Sequence, residues 1–179
     1  MMTSMHHQRS RWIGIATALV TLVAVLTVTG LAAAGSATSS FSVTASVSNN
    51  CTISTATLAF GAYDPIVANA STALDATGSV TITCTRGATS TIGLSTGSYS
   101  ANASGTTRAM NAGTSYLSYE IYQNTGRTTL WGNSGSDLYT PAAAPSSAPR
   151  TVTTYGRVPA GQDVPAGSYS DTVTATVNF

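Results

Sequence analysis

The chain has 179 residues, 42% of them hydrophobic and only 7% charged, against about 25% charged in an average soluble domain. It contains no lysine, and its only histidines are His6 and His7. A chain of formal net charge +1 has no basic field with which to hold nucleic acid or an anionic membrane surface, and its surface polarity must come from Ser, Thr, Asn and Gln.

Residues 1–12 carry Arg9 and Arg11, residues 13–31 are apolar, and Ala32-Ala33-Ala34 supplies small residues at a signal-peptidase site. This order predicts a leader over 1–37, cleaved after Ala34 or Ala37. The apolar run is long enough to span a bilayer. The cleavage pattern that follows it favours removal, so no membrane insertion is expected of the mature chain. Loss of the leader removes both histidines and leaves Arg86, Arg108, Arg127, Arg150 and Arg157 against Asp64, Asp75, Glu120, Asp137, Asp163 and Asp171, a net charge of about −1. The remainder is one domain's worth of chain. Cys51 and Cys84 are the only thiols, and export favours their pairing as a disulfide.

In chain order, residues 41–47 alternate strictly, with Phe41, Val43, Ala45 and Val47 apolar and Ser or Thr between them, the period of a half-buried strand. Ser48-Asn49-Asn50 breaks it. Short extended pieces follow at 51–53 and 57–61, the second placing Leu58 and Phe60 on one face, and Asp64-Pro65 ends them as a turn initiator. Gly78 opens a strand in which Val80, Ile82 and Cys84 share a face. Residues 91–95, 108–110 and 116–122 read as further strands, the last with Leu117, Tyr119 and Ile121 opposite Ser118, Glu120 and Tyr122. After a short apolar piece at 130–132 and an Ala/Ser/Pro-rich loop at 141–149 come strands at 152–158 and 169–179. The final strand sets Val173, Ala175, Val177 and Phe179 against Thr172, Thr174, Thr176 and Asn178. No stretch carries a helical stripe. The pattern predicts an all-β, antiparallel sandwich of about seven strands.

These landmarks resemble the spore coat protein U domain family, which includes subunits of archaic (Csu-like) chaperone–usher pili. They are the alternating strand 41–47, Cys51, Phe60-Gly61-Ala62-Tyr63-Asp64, Cys84-Thr85, Gly97, Arg108-Ala109-Met110, Leu117-Ser118-Tyr119, Trp131-Gly132, Tyr155-Gly156, Gln162, and the run from Pro165 to Val173. The resemblance implies an incomplete immunoglobulin-like β-sandwich completed by donor-strand complementation. Residues 38–48 would form the N-terminal donor strand and 49–179 the domain. Phe41, Val43, Ala45 and Val47 would be the donor side chains, and Val173, Ala175, Val177 and Phe179 would lie on the strand bordering the groove. The implied partners are identical or related pilin subunits, a periplasmic chaperone and an outer-membrane usher.

Two other function classes are weighed on the residues. A secreted carbohydrate-binding module would use Tyr99, Tyr116, Tyr122, Trp131 or Tyr139 as stacking platforms, although a tryptophan in a sandwich is more often core. An enzyme is disfavoured. Without His or Lys in the mature chain, and with the thiols paired, no catalytic triad, Cys–His pair or Schiff-base lysine can be built, and no cofactor is expected. Asp163 with Asp171 is the remaining carboxylate pair, but Asp171 is better read as satisfying turn backbone or an arginine. Asp64 and Asp75 lack the ligand density of a Ca²⁺ loop. Asn69-Ala70-Ser71 and Asn102-Ala103-Ser104 match a glycosylation pattern too short to be specific.

Overall fold

A computed structural model describes residues 34–179; most of the expected leader lies outside the described residues. The chain divides into two units, Met1–Thr44 and Ala45–Phe179, and every strand among the described residues belongs to the second. Seven strands form among the described residues: β1 (Cys51–Ala56), β2 (Leu74–Cys84), β3 (Thr91–Leu94), β4 (Arg108–Ala112), β5 (Ser115–Tyr122), β6 (Arg150–Val158) and β7 (Ala175–Asn178). One antiparallel sheet runs β1-β2-β6-β5-β4 and the other pairs β3 with β7, the two-layer arrangement of an immunoglobulin-like sandwich. A bridge between Asn111 and Ser170 carries the run-in to β7 along the outer edge of β4, so the sheet curls round toward β7.

The alternation in β2 does what its period dictates: Val80, Ile82 and Cys84 are buried in the core with Ile92, Leu94, Leu117, Tyr119, Ile121, Trp131 and Val158. Trp131 is fully buried, donates Nε1–H to the Ile92 carbonyl at 2.9 Å, and stacks obliquely on Tyr139. Cys51 and Cys84 stand directly opposite each other on β1 and β2 and form the disulfide, with Cα atoms 4.1 Å apart.

Residues 41–47, expected to pair with a neighbouring molecule and not within their own chain, join no sheet here and are exposed throughout. Three other sequence expectations change. Residues 57–61 lie in no ladder. Leu58 and Phe60 nonetheless pack on the core, crossing the sheet over two glycines: a Cβ on Gly156 would come within 2.7 Å of both side chains, and one on Gly78 within 3.2 Å of the Leu58 backbone. Gly78 therefore sits inside β2, not at its start. Finally β5 is buried on both faces, Ser118 and Glu120 included, where the alternation predicts one wet face.

On the outer face Asp75 accepts from Arg157 Nε and Nη2 at 2.8 and 2.9 Å, with Arg127 at 3.2 Å. The Arg157 hydrogen bonds hold its carboxyl below the ordinary value of 3.8. The backbone N–H groups of Ile66 and Val67 hold Asp64 low as well. A carboxyl whose pKa is lower folded than unfolded stabilises the fold above its unfolded value, and that contribution is lost as pH falls through the folded one. Thermal stability should hold level from about pH 7 to 5 and fall below about pH 4, with Asp75→Asn flattening the acid limb. Replacing both cysteines by serine opens a loop with a sequence separation of 33 and should cost about 3.5 to 4 kcal/mol in the chain-entropy account, read as a lower urea midpoint and a poorer yield of exported protein.

Candidate functional site: an open apolar groove

An open groove of about 1110 Å³ runs between two chain segments that share no hydrogen bond across it. One wall is the continuation of β1, residues 55–63 with Pro65; the other is residues 164–173 with Ala175. The floor is apolar: Val80, Leu94, Met110, Leu117, Tyr119 and Ile121. Residues 57–63 make no backbone–backbone hydrogen bond, nor do 164–169 or 171–173. Side chains engage only the Thr172 N–H and the Pro165 carbonyl of these stretches, so two edges with most of their N–H and C=O groups free face a space floored by hydrocarbon, and such edges bind an extended peptide readily.

Polar groups fix the walls. Tyr63 anchors the far end of the first wall: its hydroxyl donates to the Pro159 carbonyl at 3.0 Å and accepts from the Gln162 N–H at 2.9 Å. The Gln162 side-chain amide then takes the place of a neighbouring strand, with Oε1 accepting from Ser118 N–H at 2.7 Å and Nε2 donating to the Ser118 carbonyl at 2.9 Å. On the second wall, Asp171 accepts from Ser98 N–H and Thr172 N–H, both at 2.8 Å, and from the Tyr119 hydroxyl at 2.7 Å. Burial, helped by that hydrogen bond, pushes the Tyr119 phenol well above its ordinary range. Gly97 makes room for the carboxylate, since a Cβ there would fall 1.9 Å from Asp171 Oδ2.

Beneath the floor lies a buried ion pair. Arg108, fully buried, donates from Nη1 to Glu120 Oε1 at 2.6 Å. Its Nη2 reaches the Leu94 and Trp131 carbonyls at 3.1 and 2.7 Å, and Nε reaches the Ser95 carbonyl at 2.9 Å. Glu120 also accepts from Thr107 N–H at 2.8 Å. Charges removed from water are tolerated when hydrogen bonds satisfy them this fully.

The expected donor residues Phe41, Val43 and Val47 are 86%, 80% and 85% exposed, and Ala45 is exposed too. Of the residues expected to border the groove, Val173 and Ala175 line it. Val177 pairs with Ile92 on β3, and Phe179 is exposed beyond the end of β7. The aromatic platforms divide: Trp131 is core, Tyr99 and Tyr116 form a half-buried pair, and Tyr122 and Tyr139 are half-buried. Asp163 is exposed, while Asp171 is spent on the Ser98 and Thr172 N–H groups and the Tyr119 hydroxyl. Asn69 is buried, its amide bridging Asp64 N–H and the Thr72 carbonyl, so it is a turn-building residue. The roles of Arg108, Glu120, Gln162 and Gly97 escape sequence reasoning; the one available signal was the scarcity of charge, which makes each ionic residue in a strand worth a partner search. Replacing Arg108 by methionine leaves Glu120 buried and unpaired, and should destabilise the domain by about 3 to 5 kcal/mol in urea unfolding, with Arg108→Met/Glu120→Leu costing less than the two single changes together.

With this geometry in view, the chain can be set beside known proteins. The model of the Spore Coat Protein U domain matches residues 37–176. Protein U of Myxococcus xanthus is 40% identical over 178 aligned residues, covering 92% of this chain and 97% of that protein. Among solved structures, a chain of the CsuC-CsuE chaperone-tip adhesion subunit pre-assembly complex from the archaic chaperone-usher Csu pili of Acinetobacter baumannii superposes with a TM-score of 0.55 at 25% identity, over 74% of this chain. This chain spans 40% of the length of that one. On the extent of the family match and the identity to Protein U, the chain belongs to the Spore Coat Protein U domain family.

Proposed function

We propose that this chain is a structural subunit of a secreted surface fibre, a pilus assembled by donor-strand exchange through a chaperone–usher pathway and serving adhesion or biofilm formation. The observation that carries the reading is the open groove with unpaired backbone on both walls, in a chain that also holds an exposed, strictly alternating apolar segment at 41–47. Residues 1–37 are then a leader for export, 38–48 the donor strand and 49–179 the acceptor domain. A periplasmic chaperone fills the groove before assembly, an outer-membrane usher passes the subunit outward, and the donor strand of an identical or related subunit replaces the chaperone. The similarity to a chain from a chaperone–pilus subunit complex supports this reading.

Geometry speaks against self-closure. Thr85 N–H donates to the Asn50 carbonyl at 2.8 Å, and the Thr85 hydroxyl donates to the Ser48 carbonyl at 3.3 Å. Residues 48–50 therefore prolong the line of β1 past the disulfide, away from the end that leads into the groove. For the segment to enter its own groove it would have to reverse within these pinned residues. Donation to another molecule needs no reversal, and because it is heterologous and non-closing it produces a filament. Burial of four apolar side chains contributes on the order of 1 to 2 kcal/mol each, and the ladder hydrogen bonds add to it.

Truncation before Ser48 should abolish the ladder that the full mature chain gives on unboiled gel electrophoresis and convert its size-exclusion profile to a monomer. Val43→Asp should do the same while leaving the chaperone-bound subunit folded, since a carboxylate would enter an apolar pocket at a cost of several kcal/mol. A wild-type ladder from either variant would sink the donor-strand reading.

A further inference from the structure

The turn that follows the first groove wall presents two large aliphatic side chains to solvent: Ile66 is 80% and Val67 76% exposed. The turn is built rigidly. Asp64 Oδ1 accepts from both N–H groups, at 2.9 and 3.1 Å, Asn69 Oδ1 accepts from Asp64 N–H at 2.9 Å, and the Asn69 carbonyl accepts from Gly161 N–H at 2.8 Å. A locked turn that spends its polar groups inward and two β-branched side chains outward is a contact surface awaiting a partner. Its neighbour across the groove mouth is Val164, preceded by the exposed Asp163.

The complementary surface lies on the other end of the same domain. Where residues 48–50 leave the body beside Thr85, the segment 86–88 is hydrogen-bonded to the Ala/Pro-rich loop: Gly87 N–H donates to the Ala144 carbonyl at 2.8 Å and Ala144 N–H to the Ala88 carbonyl at 2.9 Å. Ala142, Ala143 and Pro145 of that loop are exposed, as is Arg86. Arg150, which donates to the Ala142 carbonyl at 2.7 Å, adds a second positive charge beside it. One end is thus aliphatic with a free carboxylate, and the other is Ala/Pro-rich with free positive charge.

We infer that these two surfaces meet in the fibre, the turn of the accepting subunit packing Ile66 and Val67 on the loop at 142–145 of the donating copy, with its Asp163 facing the partner copy's Arg86 surface. The inference rests on the donor-strand reading. The two groove walls run in opposite directions, so an incoming strand is antiparallel to one and parallel to the other. Both walls run out of regular ladders, β1 with β2 and β7 with β3; pairing antiparallel to the second wall is the orientation that brings opposite ends of successive copies together, where their charges are complementary. A strand antiparallel to β7 enters with Phe41 at the Ala175 end and leaves with Val47 at the Tyr63 and Val164 end. Only residues 48–50 then separate the groove from Cys51 of the donor, a reach of roughly 13 Å from Val47 at about 3.3 Å per residue. The donor's body must lie against the groove mouth, where Ile66 and Val67 stand.

The test uses fibres assembled in cells from the full chain with its chaperone and usher, carrying Ile66→Cys together with Ala143→Cys, both at exposed positions. Oxidised fibres should give rungs that survive boiling without reductant and vanish with it, about tenfold above either single-cysteine variant because the two thiols are held at high effective concentration. In parallel, Ile66→Ser/Val67→Ser should keep the wild-type ladder on unboiled gels while the filaments lose straightness in electron micrographs. A normal unboiled ladder with cross-linking at the single-variant level, or with filaments as straight as wild type, overturns the contact while leaving donor-strand exchange standing. Absence of any ladder from the wild-type chain removes both.

Discussion

The Arg108 guanidinium is the point at which the strands under the groove are tied together. An apolar trough open to water is unstable toward collapse, because closing it removes hydrocarbon from solvent, and only a rigid floor and rigid walls keep it open. The guanidinium supplies the floor's rigidity by reaching Leu94, Ser95 and Trp131 backbone carbonyls and the Glu120 carboxylate at once, which joins β3, β4, β5 and the Trp131 segment at one point. Leu94, Met110, Tyr119 and Ile121 are chain neighbours of these anchors and form the floor above them. Had the pair been replaced by leucines, the floor would pack as well but the three carbonyls would need new donors. The ion pair here fixes geometry more than it adds stability.

The walls are held by a second logic, in which side chains stand in for an absent strand. Gln162 mimics a ladder partner for Ser118, Tyr63 ties residues 159 and 162 together, and Asp171 gathers Ser98, Thr172 and Tyr119. Apart from the bond from Thr172 N–H to Asp171, none of these groups covers the backbone of 57–63 and 171–173. Natural sheets blunt such edges with lysine, proline or inward charge; this chain has no lysine, its wall prolines Pro65 and Pro165 stand only at the Tyr63–Val164 end, and it places no charge on either groove-facing edge beyond Asp171, whose carboxylate is already engaged. An edge left bare beside a prepared apolar trough is a liability for a monomer and an asset for a subunit.

The inward face of each strand was legible because a period of two reports side-chain direction without knowledge of the partner: Val80, Ile82 and Cys84, and Leu117, Tyr119 and Ile121, fall where alternation puts them. The Cys51–Cys84 pairing followed from count and compartment alone. Residues 41–47 and 57–61 carry the same alternation and yet join no ladder, since pattern gives a segment's readiness to pair and only the fold gives it a partner. Buried polar residues were illegible for the complementary reason. Glu120 sits on the face that alternation marks as wet, and nothing local announces that Thr107 and Arg108 engage its carboxylate. Gly78 reads as a strand opener until Leu58, twenty positions away, is seen crossing over it.

The distribution of charge closes the physical account. With so few ionic groups, most have an identifiable use. Arg108 and Glu120 are inside; Asp75, Arg127 and Arg157 knit the outer face of the large sheet; Asp64 and Asp171 hold backbone N–H groups. Among the described residues, the exposed charged side chains that make no hydrogen bond within the subunit are Arg86 and Asp163. They stand at opposite ends of the domain, one where the N-terminal segment departs and the other at the groove mouth. Free ions on an otherwise hydroxyl-covered surface contribute little to a monomer's stability. In a head-to-tail fibre of the kind proposed, opposite charges at the two ends of each copy would steer successive copies into one orientation, because the reversed approach would set like charges together.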